Sequence, residues 1–437
     1  MQTWPTRSPL RIALAGLGTV GIGVLRLLET NRTLVEARAG RPIEVVAVSA
    51  REAGRARDVD LTSPDFVADM VALAGRGDVD VVVEAVGGAD GPALALAQAT
   101  LEAGKGLITA NKAMIAHHGL RLAEIAADHG APLAFEAAVA GGIPVIKGLR
   151  EGAAANTIER VIGILNGTSN FILSTMEATG ADFGEVLAEA QAKGYAEADP
   201  AFDIDGVDAA HKLAILAAIA FGARLDFAGV GISGIREVRA ADIAQARQLG
   251  FVIRLVGVAD CADGKLLQRV RPCLVPTSHP LAHVIGATNA VVAEGNFSGR
   301  LLFQGAGAGA GPTASAIVAD LIDIARSTAA APFSLPAAEL QAMERADPGH
   351  RVGRDYIRFT VADRAGVLAE LTAAMRDAGV SIESLIQRGR SSEDGGEVLV
   401  AMVTHEGPER CVARALELLN GSPSLTAAPL VLPILRD

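Results

Sequence analysis

Between Gly194 and Lys212 the chain reads GYAEADPAFDIDGVDAAHK, in which five carboxylates (Glu197, Asp199, Asp203, Asp205 and Asp208) precede one lysine. The continuation, VDAAHKLAILAAIAF, has helical periodicity, so Asp208 and Lys212 stand on one face near the helix start. Two readings fit this pair. On a wet surface it is an ordinary i,i+4 bridge contributing roughly 0.3 kcal/mol. On a buried helix, desolvation opposes the lysine's charge while the carboxylates support it, and that tension makes a tunable proton acid or base. The apolar run that follows argues for burial. The remaining acids are then available to hold a cationic amine.

Three other stretches carry chemistry. GLGTVG sets Gly16, Gly18 and Gly21 as GxGxxG, with Thr19 and Val20 between them; such a turn lets backbone approach a pyrophosphate at a helix N-terminus. A strand-like run before it and a helical run after it supply the context that the motif alone lacks. The second strand-like run, VVAVSA, ends without the acid that binds a ribose 2′-hydroxyl, and Arg51 follows, with Arg55 and Arg57 close behind. Basic residues there suit a 2′-phosphate, hence NADP over NAD, unless they are solvated loop charges. TANKAMIA places Asn111 and Lys112 at the end of a strand-like run, where open parallel sheets face their ligand; Lys112 either serves substrate or caps a turn. In EAAVAGGIPVIKGL, Glu136 precedes an irregular loop built on Gly141, Gly142 and Pro144. Freed carbonyls and one carboxylate could cage a hard cation, but these residues by themselves favour a paired buried acid beside a hinge.

Positioning such groups takes several elements. At 437 residues, half of them hydrophobic, the chain has room for about three domains with large cores. LRIALAG, IEVVAVSA, VDVVVEAVG and GLITA alternate with helical runs, so a parallel α/β sheet is expected over 1–140, completed by 305–330. From Gly141 the pattern becomes α+β, a catalytic and dimerisation domain over 141–326 with a hairpin in NAVVAEGNFSGRLLFQG. An Ala- and Pro-rich connector with a short helix follows at 327–354. The last stretch, 355–437, reads βαββαβ, a ferredoxin-like unit.

Composition removes several classes. A net charge of −11 without a long Lys/Arg cluster, together with 3% aromatics, argues against nucleic acid and anionic membranes. Three dispersed cysteines, Cys261, Cys273 and Cys411, fit a reducing cytoplasm, and neither a signal peptide nor a membrane span is expected. His279 and His283 flank a proline and do not make a helical metal pair.

GLGTVG, TANKAMIA, EAAVAGGIP, GILNGTSNFIL, GYAEADPAFDIDGVDAAHKLAIL, HPLAHVIGATNAV and GAGAGAGPTASAIVADL, in this order over nearly the whole chain, resemble the long bacterial homoserine dehydrogenases. The resemblance implies an α/β Rossmann-type nucleotide-binding domain, an α+β catalytic domain and a C-terminal ACT domain. It implies NAD(P)-dependent interconversion of L-homoserine and L-aspartate 4-semialdehyde, on the route to threonine, methionine and isoleucine. By motif, Lys212 is the acid/base, Glu197, Asp203 and Asp208 bind or orient the amino acid, and Lys112 lies between cofactor and substrate. Gly194 and Gly309 join the glycine turn and Arg51 at the cofactor. Glu136 with the carbonyls of Val139, Gly141 and Ile143 forms a sodium site, against the plainer reading above. VADRAGVLAEL resembles the ACT ligand loop, Asp363, Arg364, Ala365, Gly366, Val367 and Leu368, whose effector in the family is L-threonine. A homodimer or homotetramer is the family expectation. Phe171 departs from the tyrosine common in that motif. The rivals are a catalytically inactive amino-acid sensor and a semialdehyde dehydrogenase, which would need a nucleophilic cysteine.

Overall fold

The glycine turn lies at the middle of a six-stranded sheet. Strands β1 (Leu10–Ala15), β2 (Ile43–Ser49), β3 (Asp65–Phe66), β4 (Val81–Glu84), β5 (Gly106–Thr109) and β6 (Leu133–Ala134) pair in the order β3-β2-β1-β4-β5-β6, every pair parallel. The computed structural model describes residues 8–52, 55, 58–387 and 396–436, so Arg57 lies outside the described residues. β4 and β5 are buried at every position, as continuous apolar strands of a doubly covered parallel sheet must be. This strand order reverses between β1 and β4, and ligands bind at that crevice.

One covering helix comes from far along the chain. Ile317 and Leu321 of the Ala310–Arg326 helix share a core with Val24 and Leu28 of the Thr19–Thr30 helix and with Ile12 and Leu14 of β1. Fully burying each such side chain contributes about 1.5–3 kcal/mol. The two helices approach closely because Gly23 has no side chain: a Cβ there would stand 2.6 Å from the Ala310 carbonyl oxygen.

The second sheet combines β7 (Ile158–Ile164), β8 (Val230–Ile232), β9 (Phe251–Ala262), β10 (Lys265–Pro276), β11 (Thr288–Gly295), β12 (Gly299–Ala306) and β13 (Glu344–Arg345). Its order is β12-β11-β7-β9-β10-β13, with β8 also on β10, and β11 and β12 form the expected antiparallel hairpin. The Val207–Phe221 helix is buried from Asp208 through Ile219 in the core this sheet provides, which decides between the two readings of the Asp208/Lys212 pair.

The connector differs from expectation. It holds two three-residue turns of 3-10 helix, Ala337–Glu339 and Pro348–His350, yet Phe333 and Leu340 are buried in the main core and β13 extends the sheet along β10. Beyond it, β14 (Val352–Gly353) pairs with β18 (Gly407–Pro408), while β15 (Asp355–Ala362), β16 (Ile382–Gln387), β17 (Glu397–Thr404) and β19 (Leu425–Pro433) make an antiparallel sheet ordered β16-β17-β15-β19. With the Val367–Asp377 and Glu409–Leu418 helices this is the βαββαβ unit read from sequence. Tyr356 of β15 donates to Asp242 at 2.9 Å, and Glu409 pairs with Arg269 of β10 at 2.7 Å and Arg351 at 2.9 Å, so the unit is fastened to the middle domain by buried and half-buried charge.

Candidate active site

A cleft of about 1050 Å³ opens where the two sheets meet. One wall is built from backbone. Gly16, at φ +100°, adopts a conformation that favours glycine, and a Cβ there would stand 2.5 Å from the Ala85 carbonyl oxygen. At Gly21 the Cβ would stand 1.9 Å from the Gly16 carbonyl oxygen, so these two glycines are required by the turn itself. Gly18 has no atom within 4 Å of its Cβ position, leaving open space in front of the Thr19–Thr30 helix N-terminus. Val20 lines the cleft, as do Gly194 and Gly305 through Gly309, and Gly309, at φ +123°, starts the Ala310–Arg326 helix. Two helix N-termini and bare glycines fit a nucleotide diphosphate. Arg51 is exposed just past the end of β2 and is not among the cleft-lining residues.

The other wall is built from side chains. Asn111 caps the Lys112–His129 helix, its Oδ1 accepting from Met114 N at 3.1 Å, while Glu84 at the end of β4 accepts from Val86 N, Gly87 N and the Thr109 hydroxyl. That framework aims Lys112 across the cleft: its ammonium is 3.0 Å from Asp208 Oδ1. Lys212 Nζ lies 2.7 Å from Asp208 Oδ2 and donates to the Leu165 carbonyl at 2.8 Å. A single carboxylate therefore bridges two lysines.

Asn166 completes the cluster. As N-cap of the Gly167–Thr179 helix it accepts from Ser169 N through Oδ1, which leaves Nδ2 to donate to Asp203 Oδ1 and Asp208 Oδ2, each at 2.8 Å. Thr168 donates to Asp203 Oδ2 at 3.0 Å. Neither residue has an assigned role in the sequence reading, although Asn before Gly at a strand-to-helix junction is itself an N-cap signal.

The electrostatics separate groups of the same type. Burial opposes ionisation of Asp208, but the charges of Lys212 and Lys112 and the hydrogen bonds from Lys212 and Asn166 outweigh it and hold the carboxyl below its ordinary range. Asp203 moves the other way, raised by burial and then by the neighbouring Asp208 charge. Lys112 is raised, chiefly by Asp208, whereas Lys212 is lowered by burial, with Lys112 adding to the effect against the opposing pull of Asp208. Pairs pushed apart in this way mark acid/base assignments. Lys112 holds its proton more firmly than an ordinary lysine, and Lys212 less firmly.

Other expected site residues lie elsewhere. Glu197 is exposed and outside the cleft lining, its backbone carbonyl accepting from Gln191 at 3.1 Å. Glu136 is buried, its two oxygens accepting from Ile146 N at 3.0 Å and Lys147 N at 2.9 Å. Burial, then the charge of Asp320, pushes Glu136 up to about 7. Gly141 lines the cleft, Val139 and Ile143 are buried, and the Ile143 carbonyl already accepts from Val145 N at 2.7 Å. In the C-terminal unit, Gly366 at φ +94° precedes the Val367–Asp377 helix; Arg364 donates to Ser424 at 2.8 Å, Val367 is buried in the core and Leu368 is exposed. Asp363 N donates to the Gly396 carbonyl, and Ala365 is exposed between the two.

No cysteine lines the cleft among the described residues, and burial pushes the Cys273 thiol up to about 11, which removes the cysteine-nucleophile rival. Among the described residues no helix is long and apolar enough to cross a membrane.

A parallel sheet of this order, a glycine turn at its crevice and a buried lysine whose hold on its proton is weakened fit a nicotinamide-nucleotide oxidoreductase. Comparison with known proteins agrees. Residues 16–136 match the family described as homoserine dehydrogenase, NAD binding domain, residues 144–322 the homoserine dehydrogenase family, and residues 356–417 the ACT domain. A homoserine dehydrogenase of Pseudomonas aeruginosa is 43% identical over 424 residues, spanning 94% of this chain and 96% of that one. The crystal structure of a homoserine dehydrogenase from Thiobacillus denitrificans superposes with a TM-score of 0.91 at 39% identity, covering 98% of each chain. A hyperthermophilic archaeal homoserine dehydrogenase in complex with NADPH covers 73% of this chain and 98% of its own at 25% identity, TM-score 0.62. The chain belongs to the homoserine dehydrogenase family, and it is an NAD(P)-binding oxidoreductase with a C-terminal ACT domain.

Proposed function

We propose that the enzyme interconverts L-homoserine and L-aspartate 4-semialdehyde with Lys212 as the proton acid/base, and the observation that carries this is the Asp208 carboxylate shared between Lys112 and Lys212. A bound nicotinamide would supply the hydride acceptor or donor for the substrate C4. Lys212, made easier to deprotonate by burial, takes the hydroxyl proton on oxidation and returns it on reduction. Asp208 orients that amine, and Lys112 stays charged between cofactor and substrate. Asp203, held by Asn166 and Thr168, binds the substrate ammonium together with Asp208; Glu197 joins them on its motif alone.

The cofactor reading is NADP over NAD. Arg51 in place of an acid after β2 supports it, as does the NADPH bound by the archaeal relative. For sodium, the donor set is one buried carboxylate and the carbonyls of Val139, Gly141 and Ile143, hard oxygens of the kind such an ion takes. A Glu136 pushed up to about 7 is the electrostatic state that a neighbouring cation would relieve. The Asp363–Leu368 loop is the proposed binding place of an amino-acid effector, L-threonine, with Tyr356, through Asp242, and Glu409, through Arg269, connecting its domain to the middle domain. We place the boundaries at 1–140 with 305–330, 141–326, 327–354 and 355–437. The enzyme is taken to work in the cytoplasm as a homodimer or homotetramer, on the route to threonine, methionine and isoleucine.

The test is absorbance of the reduced nicotinamide with purified protein, L-homoserine, and NADP+ or NAD+, with and without L-threonine. Reduction that is faster with NADP+ and suppressed by threonine is the expected result. Folded, nucleotide-binding protein that reduces neither cofactor overturns the catalytic reading in favour of an amino-acid sensor.

A further inference from the structure

The two lysine-bearing helices touch at a second point, away from the reacting groups. His117, on the Lys112–His129 helix, and His211, on the Val207–Phe221 helix, face each other with their Nε2 atoms 3.2 Å apart. Their ring centroids are 5.2 Å apart in an edge-on arrangement, and Phe227 packs on both, at 4.8 Å from His117 and 4.4 Å from His211. His211 is buried, its ring centroid 5.6 Å from that of Phe202, and it is next in sequence to Lys212.

Within a packed seam, one directional polar contact between two helices is a pivot; two fix the crossing angle and the sliding position as well. Here the first contact is Lys112 with Asp208 and the second is His117 with His211. Asp208 and His211, three residues apart, share one flank of their helix, so both contacts lie along the same seam. We propose that His117 and His211 are positioning residues that lock these helices in register so that Lys112 and Lys212 meet on the two oxygens of Asp208. This rests on Lys212 being the acid/base.

The structure also selects the tautomer. His211 Nδ1 is buried without a hydrogen-bond partner. A proton there would be an orphaned donor, which is rarer in folded proteins than an under-used acceptor. His211 therefore carries its proton on Nε2 and donates it to Nε2 of His117. A charged His211 would put a proton on the partnerless Nδ1, and a charged His117 would put a second donor on the shared contact, so this bond belongs to the neutral pair. The charged groups around the pair are Asp208, Lys112 and Lys212, with His118, bonded to Asp90, beyond His117. Burial, then the facing His117, holds His211 down at about 4, so His211 itself stays neutral into mild acid.

His117→Phe keeps an aromatic ring and removes the acceptor; His117→Gln returns an amide oxygen near the place of Nε2. The expected result is a kcat about tenfold lower in His117→Phe, with the homoserine KM and nucleotide Kd within about threefold of the parent, and recovery of most of the loss in His117→Gln. Equal kcat in all three proteins, or equal loss in both variants, overturns the proposal. Heteronuclear NMR of the [15N]histidine-labelled parent reads the pair whether or not homoserine turns over. A neutral His211 protonated at Nε2 at neutral pH is expected, and a charged His211 or an Nδ1–H tautomer overturns the proposal independently of the catalytic reading.

Discussion

The two walls of the cleft solve opposite problems with opposite materials. At the nucleotide wall, side chains are removed: Gly16 and Gly21 are glycine because any Cβ would strike backbone, and Gly18 leaves room for an incoming group. At the lysine wall, charges are accumulated and then disciplined: two ammoniums and two carboxylates are held by Asn166, Thr168 and one backbone carbonyl. A backbone wall binds through fixed partial charges that do not titrate. A side-chain wall can move a proton because burial and neighbours set each group's affinity for it. On the proposed reading, binding and chemistry fall to different elements of the same cleft.

That division predicts which parameter each wall controls. Lys212→Ala should lower kcat by roughly a thousandfold while the nucleotide Kd, read by fluorescence titration, changes by less than about threefold. Near-normal turnover would end the assignment of Lys212. Gly21→Ala should do the reverse, weakening nucleotide binding by about tenfold or more through displacement of the turn, with a smaller effect on turnover at saturating cofactor. If its kcat falls more than its affinity, the walls are not separable.

The smallest effect is on stability and tests the proposed cation site at Glu136. Glu136 is raised from 4.5 to about 7, so the folded state binds the extra proton. Its stabilising contribution is present below the unfolded value and is lost as pH rises through about 7. In sodium-free buffer Tm should fall by a few degrees over that interval, on the order of what one to two kcal/mol gives in a chain this size. Sodium, added against a choline control, should flatten the slope; identical slopes in both salts would leave Glu136 a paired buried acid.

Much of this was legible in the residues and some was not. The alternation of apolar strands and helices marked the first sheet, and GxGxxG marked its crevice, because strand period and glycine conformation are local properties. The C-terminal βαββαβ unit was readable for the same reason. Asp208 and Lys212 were recognisable as a pair, since i,i+4 spacing puts them on one face whatever the helix packs against. The docked connector was not readable, because Phe333 and Leu340 are isolated apolar residues without period in an Ala- and Pro-rich stretch. Asn166 went unassigned, because its capping role is local but its bonds to Asp203 and Asp208 reach across the fold.

The sequence by itself determined which segments become strands and helices, where the chain turns on glycine, and which lysine has an acid one helical turn away. Tertiary structure alone decided that Lys112 reaches the same acid, that His117 meets His211 ninety-four residues on, and that Lys212 is lowered while Lys112 is raised. The reason is physical. Local conformation follows from dihedral preferences and spacing, whereas a proton affinity depends on how much water has been excluded and which distant charges have taken its place.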